Sequence, residues 1–206
     1  MSKHILYLHG FNSSPSSIKA QFTQQYFAKN YPEINFHCPQ IANSPEAAVS
    51  QLSEIINNIL CTDENAQWYF IGSSLGGFFS TYLAEKYQRP AILINPAVKP
   101  YQLLTEYLGD QVNPYTNEAY KVTVNFIETL KRLEQDEIMK NNYLLMVQTG
   151  DEVLDYRQAI NFYQDAKIIT QQGGDHSFVG YEQMLPEMAS FFHFTEPNQV
   201  EIIHNA

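Results

Sequence analysis

A chain of 206 residues can bury one sizeable core but is short for two ordinary domains, so residues 1–206 read as a single domain. With 12 Lys+Arg against 22 Asp+Glu and a net charge of −10, its field repels phosphate backbones and anionic lipid, which argues against nucleic acid and stable membrane association as partners. Hydrophobic residues at 44% beside only 17% charged residues exclude a disordered chain, and no apolar run approaches the ~18 residues of a membrane span.

Apolar runs at His4–His9, Ile34–His37, Trp68–Gly72, Ala91–Asn95, Tyr143–Thr149 and Lys167–Thr170 predict six strands. Ile92-Leu93-Ile94 and Leu144-Leu145-Met146-Val147 are apolar at consecutive positions, as in strands covered on both faces, which predicts a mostly parallel sheet. Helical stripes alternate with the strands at Ile18–Tyr26, after Pro45, at Leu75–Tyr87, at Tyr156–Tyr163 and at Tyr181–Phe192, giving an α/β fold with helices on both faces. The rhythm breaks between the fourth and fifth strands, where residues from Ala97 to Asn142 exceed an ordinary connection and predict a small helical cap insertion at about 97–142. Its helical patterns lie near Tyr101–Leu108 and Val122–Met139, around the turn-rich Asn113–Asn117. The stretch from Glu196 to Ala206 reads as a tail. Ile5–Leu8 is too short for the core of a signal peptide, and a reducing cytoplasm is the expected compartment. Cys38 and Cys61 sit in no metal-binding or disulfide pattern, so no metal site is expected.

Chemistry enters after the third strand. Gly72-Ser73-Ser74-Leu75-Gly76 matches Gly-x-Ser-x-Gly with Ser74 at its centre, a strand-to-helix turn that lifts a hydroxyl clear of the sheet. A serine needs a base to take its proton. Of six histidines, His176 follows the last predicted strand in Gly173-Gly174-Asp175-His176, at the carboxyl edge where functional groups of parallel α/β proteins converge. Asp151, just past the fifth strand, supplies the orienting carboxylate; Asp155 is its rival, and Asp175 a weaker one. The order Ser74, Asp151, His176 is nucleophile, acid, base. For the oxyanion, the Leu75 amide opens the helix after the nucleophile and the Phe11 amide follows His9-Gly10. Tyr101, Leu104, Tyr107 and Tyr115 of the cap offer apolar and aromatic surface to a substrate.

These strings resemble the α/β-hydrolase superfamily in a compact form, and more closely the YqiA-like bacterial esterases. The resemblance is carried by Tyr7–Pro15, Gly72–Gly77, Asn95–Val98, Asn113–Thr116, Gln148–Tyr156 and Gly173–His176, and extends to about Phe192. It implies a cofactor-free serine esterase acting on small-molecule carboxylic esters, including acyl thioesters such as fatty acyl-CoA, with Ser74, Asp151 and His176 as the triad. A lactonase, a small-amide hydrolase or a non-catalytic binding module on the same fold are the alternatives.

Overall fold

The computed structural model describes residues 1–194; the tail from Glu196 lies outside the described residues. The six apolar runs become strands β1 (Lys3–Leu8), β2 (Ile34–His37), β3 (Gln67–Ser73), β4 (Ala91–Ile94), β7 (Tyr143–Gln148) and β8 (Lys167–Gln171). All their pairings are parallel, in the order β2-β1-β3-β4-β7-β8. Register places Tyr7 beside Ile71, Ile71 beside Ile92 and Ile92 beside Leu144, so one face presents a continuous apolar row.

That row packs with α1 (Ile18–Asn30) and α7 (Leu185–Phe191), where Ala20, Phe27, Met188 and Ala189 are buried. The alternate residues, among them Leu6, Leu8, Phe70, Leu93 and Leu145, face α2 (Pro45–Leu60), α3 (Leu75–Tyr87) and α6 (Tyr156–Phe162). Strands covered on both faces need apolar side chains at every position, which is why these runs do not alternate. Ser44 caps α2 by accepting from the Ala47 amide at 3.3 Å, and Pro45 starts the helix with its φ already fixed. Ala48, Leu52 and Ile56 follow on one buried stripe.

The cap departs from expectation. It contains α4 (Pro100–Leu104), a short 3₁₀ turn at Thr105–Tyr107, an antiparallel hairpin of β5 (Gly109–Val112) and β6 (Ala119–Val122), and α5 (Val124–Leu133). The strands were not foreseen because Gly109-Asp110-Gln111-Val112 carries no run of apolar residues and only one of its faces is covered. Their turn is fixed by Asn113, whose Oδ1 accepts from the Tyr115 and Thr116 amides. The expected helix at Tyr181–Phe192 is also divided, into a 3₁₀ turn at Tyr181–Met184 and α7. Pro186 explains the break, since a proline lacks the N–H for a longer helix and clashes with the preceding turn. Among the described residues no helix is long and apolar enough to cross a membrane.

Candidate active site

The carboxyl ends of β1, β3, β7 and β8 meet at one edge of the sheet. At the end of β3, Ser74 adopts φ 56° and ψ −123°, a conformation that costs an L-residue about 1–3 kcal/mol. The surroundings enforce it through close backbone approach. A Cβ on Gly72 would stand 2.3 Å from the Gly76 carbonyl oxygen, and one on Gly76 would stand 1.9 Å from the Leu8 carbonyl oxygen. Only glycine at both positions lets β1, β3 and α3 come this close, and the closeness forces the turn that exposes the Ser74 hydroxyl.

His176 brings its ring to that hydroxyl: Nε2 lies 3.1 Å from Ser74 Oγ. On its other side, Nδ1 donates to Asp151, at 2.8 Å from Oδ2 and 3.0 Å from Oδ1. A carboxylate only accepts, so Nδ1 carries the hydrogen and Nε2 is left to accept from the serine hydroxyl. The Asp151 side chain is 1% exposed. Burial raises its pKa, but the bond from His176 and the amides of Leu154 and Val153 outweigh that and hold the carboxyl below its ordinary range. Asp155 is turned away. It caps α6 through the Arg157 amide and pairs with the Arg157 guanidinium through both oxygens, at 2.8 Å each. Asp175 does not hydrogen-bond the His176 ring, and its buried Oδ1 has no hydrogen-bond partner among the described residues.

Leu75 begins α3, so its amide precedes the first intrahelical bond and is left free at the positive end of the helix. The Phe11 amide lies in the loop after β1, where Gly10 comes so near Ser74 that a Cβ on it would stand 3.2 Å from Ser74 Cβ. His9 braces that loop. Its Nε2 accepts from the Ile41 amide at 3.1 Å, so Nδ1 carries the hydrogen and donates to the Gly10 carbonyl at 3.0 Å. Burial lowers the His9 pKa, against the opposing bond to Gly10, which favours this neutral form.

Three further residues support the site. Asn95, at the end of β4, accepts from the Gln148 amide and donates to the Asp175 and His176 carbonyls. The Gln148 side chain accepts from the amides of Asp175 and Val179 and donates to the Val179 carbonyl. Both are 2% exposed. Glu152 accepts from the His176 amide at 3.0 Å. The signal for Gln148 was its being the one polar side chain after a buried apolar strand, where an amide must find partners.

A cavity of about 390 Å³ opens beside Ser74 and His176. Its walls are the loop after β1, the first turns of α1, and the 176–182 segment. Of the cap residues expected to hold substrate, Tyr115 lines this cavity and Tyr107 stands outside it, its ring edge-on to Phe11 at 5.4 Å. Tyr101 and Leu104 are not in the wall either. Tyr101 packs on the core and donates its hydroxyl to Glu134, while Leu104 is 3% exposed within the core. Side chains of an insertion that must seal one face of the sheet are taken up by that packing.

The model of the uncharacterised protein family UPF0227 matches residues 4–193. The chain belongs to this family, the one that the YqiA-like strings pointed to. Among solved structures, the UPF0227 chain is similar to Est1E from Butyrivibrio proteoclasticus, solved with ferulic acid bound, at TM-score 0.67 and 13% identity, over 93% of this chain and 88% of that one. It is also similar to alpha/beta hydrolase domain-containing protein 10 from mouse, at TM-score 0.68 and 15% identity, over 92% and 89%. A monoacylglycerol lipase from Paleococcus ferrophilus matches at TM-score 0.64 and 14% identity, over 91% and 94%. The fold is that of the α/β hydrolases.

Proposed function

We propose that this UPF0227 member is a serine esterase that hydrolyses small-molecule carboxylic esters, and thioesters with them, through an acyl-enzyme. The observation that carries the reading is the unbroken hydrogen-bonded line from Asp151 through His176 to Ser74 Oγ at the mouth of a cavity. In the first step the Ser74 Oγ to carbonyl carbon bond forms as the proton passes to His176 Nε2. The Leu75 and Phe11 amides take the oxyanion. Collapse breaks the bond to the leaving group, whose oxygen or sulfur receives that proton from His176. Water, deprotonated by the same imidazole, then releases the acid and restores Ser74. The names of Est1E's ligand and of the lipase are consistent with ester chemistry on this fold. Cys38 and Cys61 are both free thiols, in keeping with a reducing cytoplasm.

A fluorophosphonate probe, which reacts only with an activated serine, should label the wild-type protein at Ser74, and a panel of acyl esters and thioesters of increasing chain length should be turned over. No labelling together with no turnover across the panel would defeat the esterase reading. Turnover of esters alone would remove the thioesterase part.

A further inference from the structure

An ester's leaving group must lie where the base can protonate it, which here is the His176 side of Ser74. The chain continuing from His176 forms the wall on that side, and the first turns of α1 stand against it. Lys19 joins the two. Its Nζ donates to the Ser177 carbonyl at 2.9 Å, which uses one of its three hydrogens and ties the ammonium to the segment that carries His176. Among the described residues it is the one Lys or Arg in the cavity wall, against Glu182 as the one Asp or Glu. Beside it, Ile18 and Val179 are 72% and 60% exposed, apolar surface that the core does not use. Lys19 is partly desolvated, which lowers its pKa, while Asp175 and Asp151 pull it back toward the charged form.

We propose, building on the serine esterase reading, that Lys19 binds an oxyanion on the leaving group, so that preferred substrates are esters of acidic alcohols carrying a carboxylate or phosphate within a few atoms of the scissile oxygen. On a chain of net charge −10 the long-range field disfavours anionic substrates. A cation fixed in the wall of the same cavity reverses that preference locally, where the leaving group sits, with Ile18 and Val179 covering its carbon frame. A purely structural Lys19, neutralising Asp151 and Asp175, behaves differently: its loss slows every substrate alike.

Three butyrate esters separate these roles, with meta-hydroxybenzamide, meta-hydroxybenzoate and meta-hydroxyphenyl phosphate as leaving groups. The wild type should show kcat/KM about tenfold higher for at least one anionic ester than for the amide ester, the value of one charged hydrogen bond. The larger of the two anionic preferences names the anion. Lys19→Met should remove the preference, Lys19→Arg should keep it, and added salt should shrink it. Equal kcat/KM for all three esters in the wild type, or an equal loss on all three in Lys19→Met, would overturn the proposal. Turnover of the amide ester with labelling of Ser74 shows that such a failure belongs to Lys19 alone; absence of both would bring down the esterase reading and this proposal with it.

Discussion

The two sides of Ser74 use the same kinds of residue for different ends. On the cap side, Leu104, Phe126 and Leu130 are buried against the sheet, and polar contacts tie the insertion to the loop after β1: Tyr120 donates to Asn12 at 2.7 Å and Asn113 to the Ser13 carbonyl at 3.1 Å. Phe11 lies between the Tyr107 and Tyr120 rings. The insertion therefore braces the loop that carries Phe11. On the opposite side, Ile18, Phe22 and Val179 stay 39% exposed or more, around the cavity that holds Ser74 and His176. Apolar composition alone does not mark a binding wall. What distinguishes one is whether the core has already taken the side chain.

The largest effects should come from the line of groups that both sides serve. Ser74→Ala should lower turnover by roughly 10⁶-fold, measured on a short-chain ester, because triad members act as a unit. Asp151→Asn should cost roughly 10⁴-fold through the wrong imidazole tautomer. Asp155→Asn, on the carboxylate that Arg157 holds, should leave kcat near wild type. Asp151 also ties activity to acid stability. Its native pKa lies below the ordinary one, so its contribution is present above the carboxylate range and is lost as pH falls through the native value. Urea unfolding below pH 4 should show Asp151→Asn losing less stability with falling pH than wild type.

How much of this was legible in the sequence follows from what each residue had to signal. The central parallel strands showed because residues such as Leu144 to Val147 are apolar without interruption, as a doubly covered strand requires. Ser74 showed because Gly72 and Gly76 are demanded by backbone contacts at fixed spacing. The acid stayed open between Asp151 and Asp155, since the choice is made by Arg157 and by the turn at Val153 and Leu154, none of which has periodicity. Which cap residues line the cavity was not legible, and Tyr101, Leu104 and Tyr107 lie outside its wall, for the reason that governs the two walls: burial of an apolar side chain is a tertiary outcome, and periodicity does not say what will cover it.

Next in size is the support beneath His176. Gln148→Met keeps the volume but strips partners from the Asp175 and Val179 amides, and the ring loses its fixed distance to Ser74. The expected result is a fall in kcat of up to about 10²-fold with KM nearly unchanged, the cost of a small misplacement of a reacting group. Gln148→Glu, which keeps the Oε1 that accepts from both amides but loses the Nε2 donor to the Val179 carbonyl, should recover part of the loss. An equal change in KM would instead place Gln148 in the substrate wall.

The smallest effects decide the comparison of the two sides. Leu104→Ala opens a hole in the core and should destabilise the protein by about 2–5 kcal/mol in urea titration, while KM for an ester stays as in wild type. Val179→Ala removes methyl groups that are already in water, so stability should hold within about 0.5 kcal/mol. If Val179 covers substrate carbon, the same change should raise KM by about tenfold or more, since a methylene or two in a binding wall is worth about 1–3 kcal/mol. A KM that moves with Leu104 and not with Val179 would return the substrate to the cap, and the opposite wall would then be ordinary exposed surface.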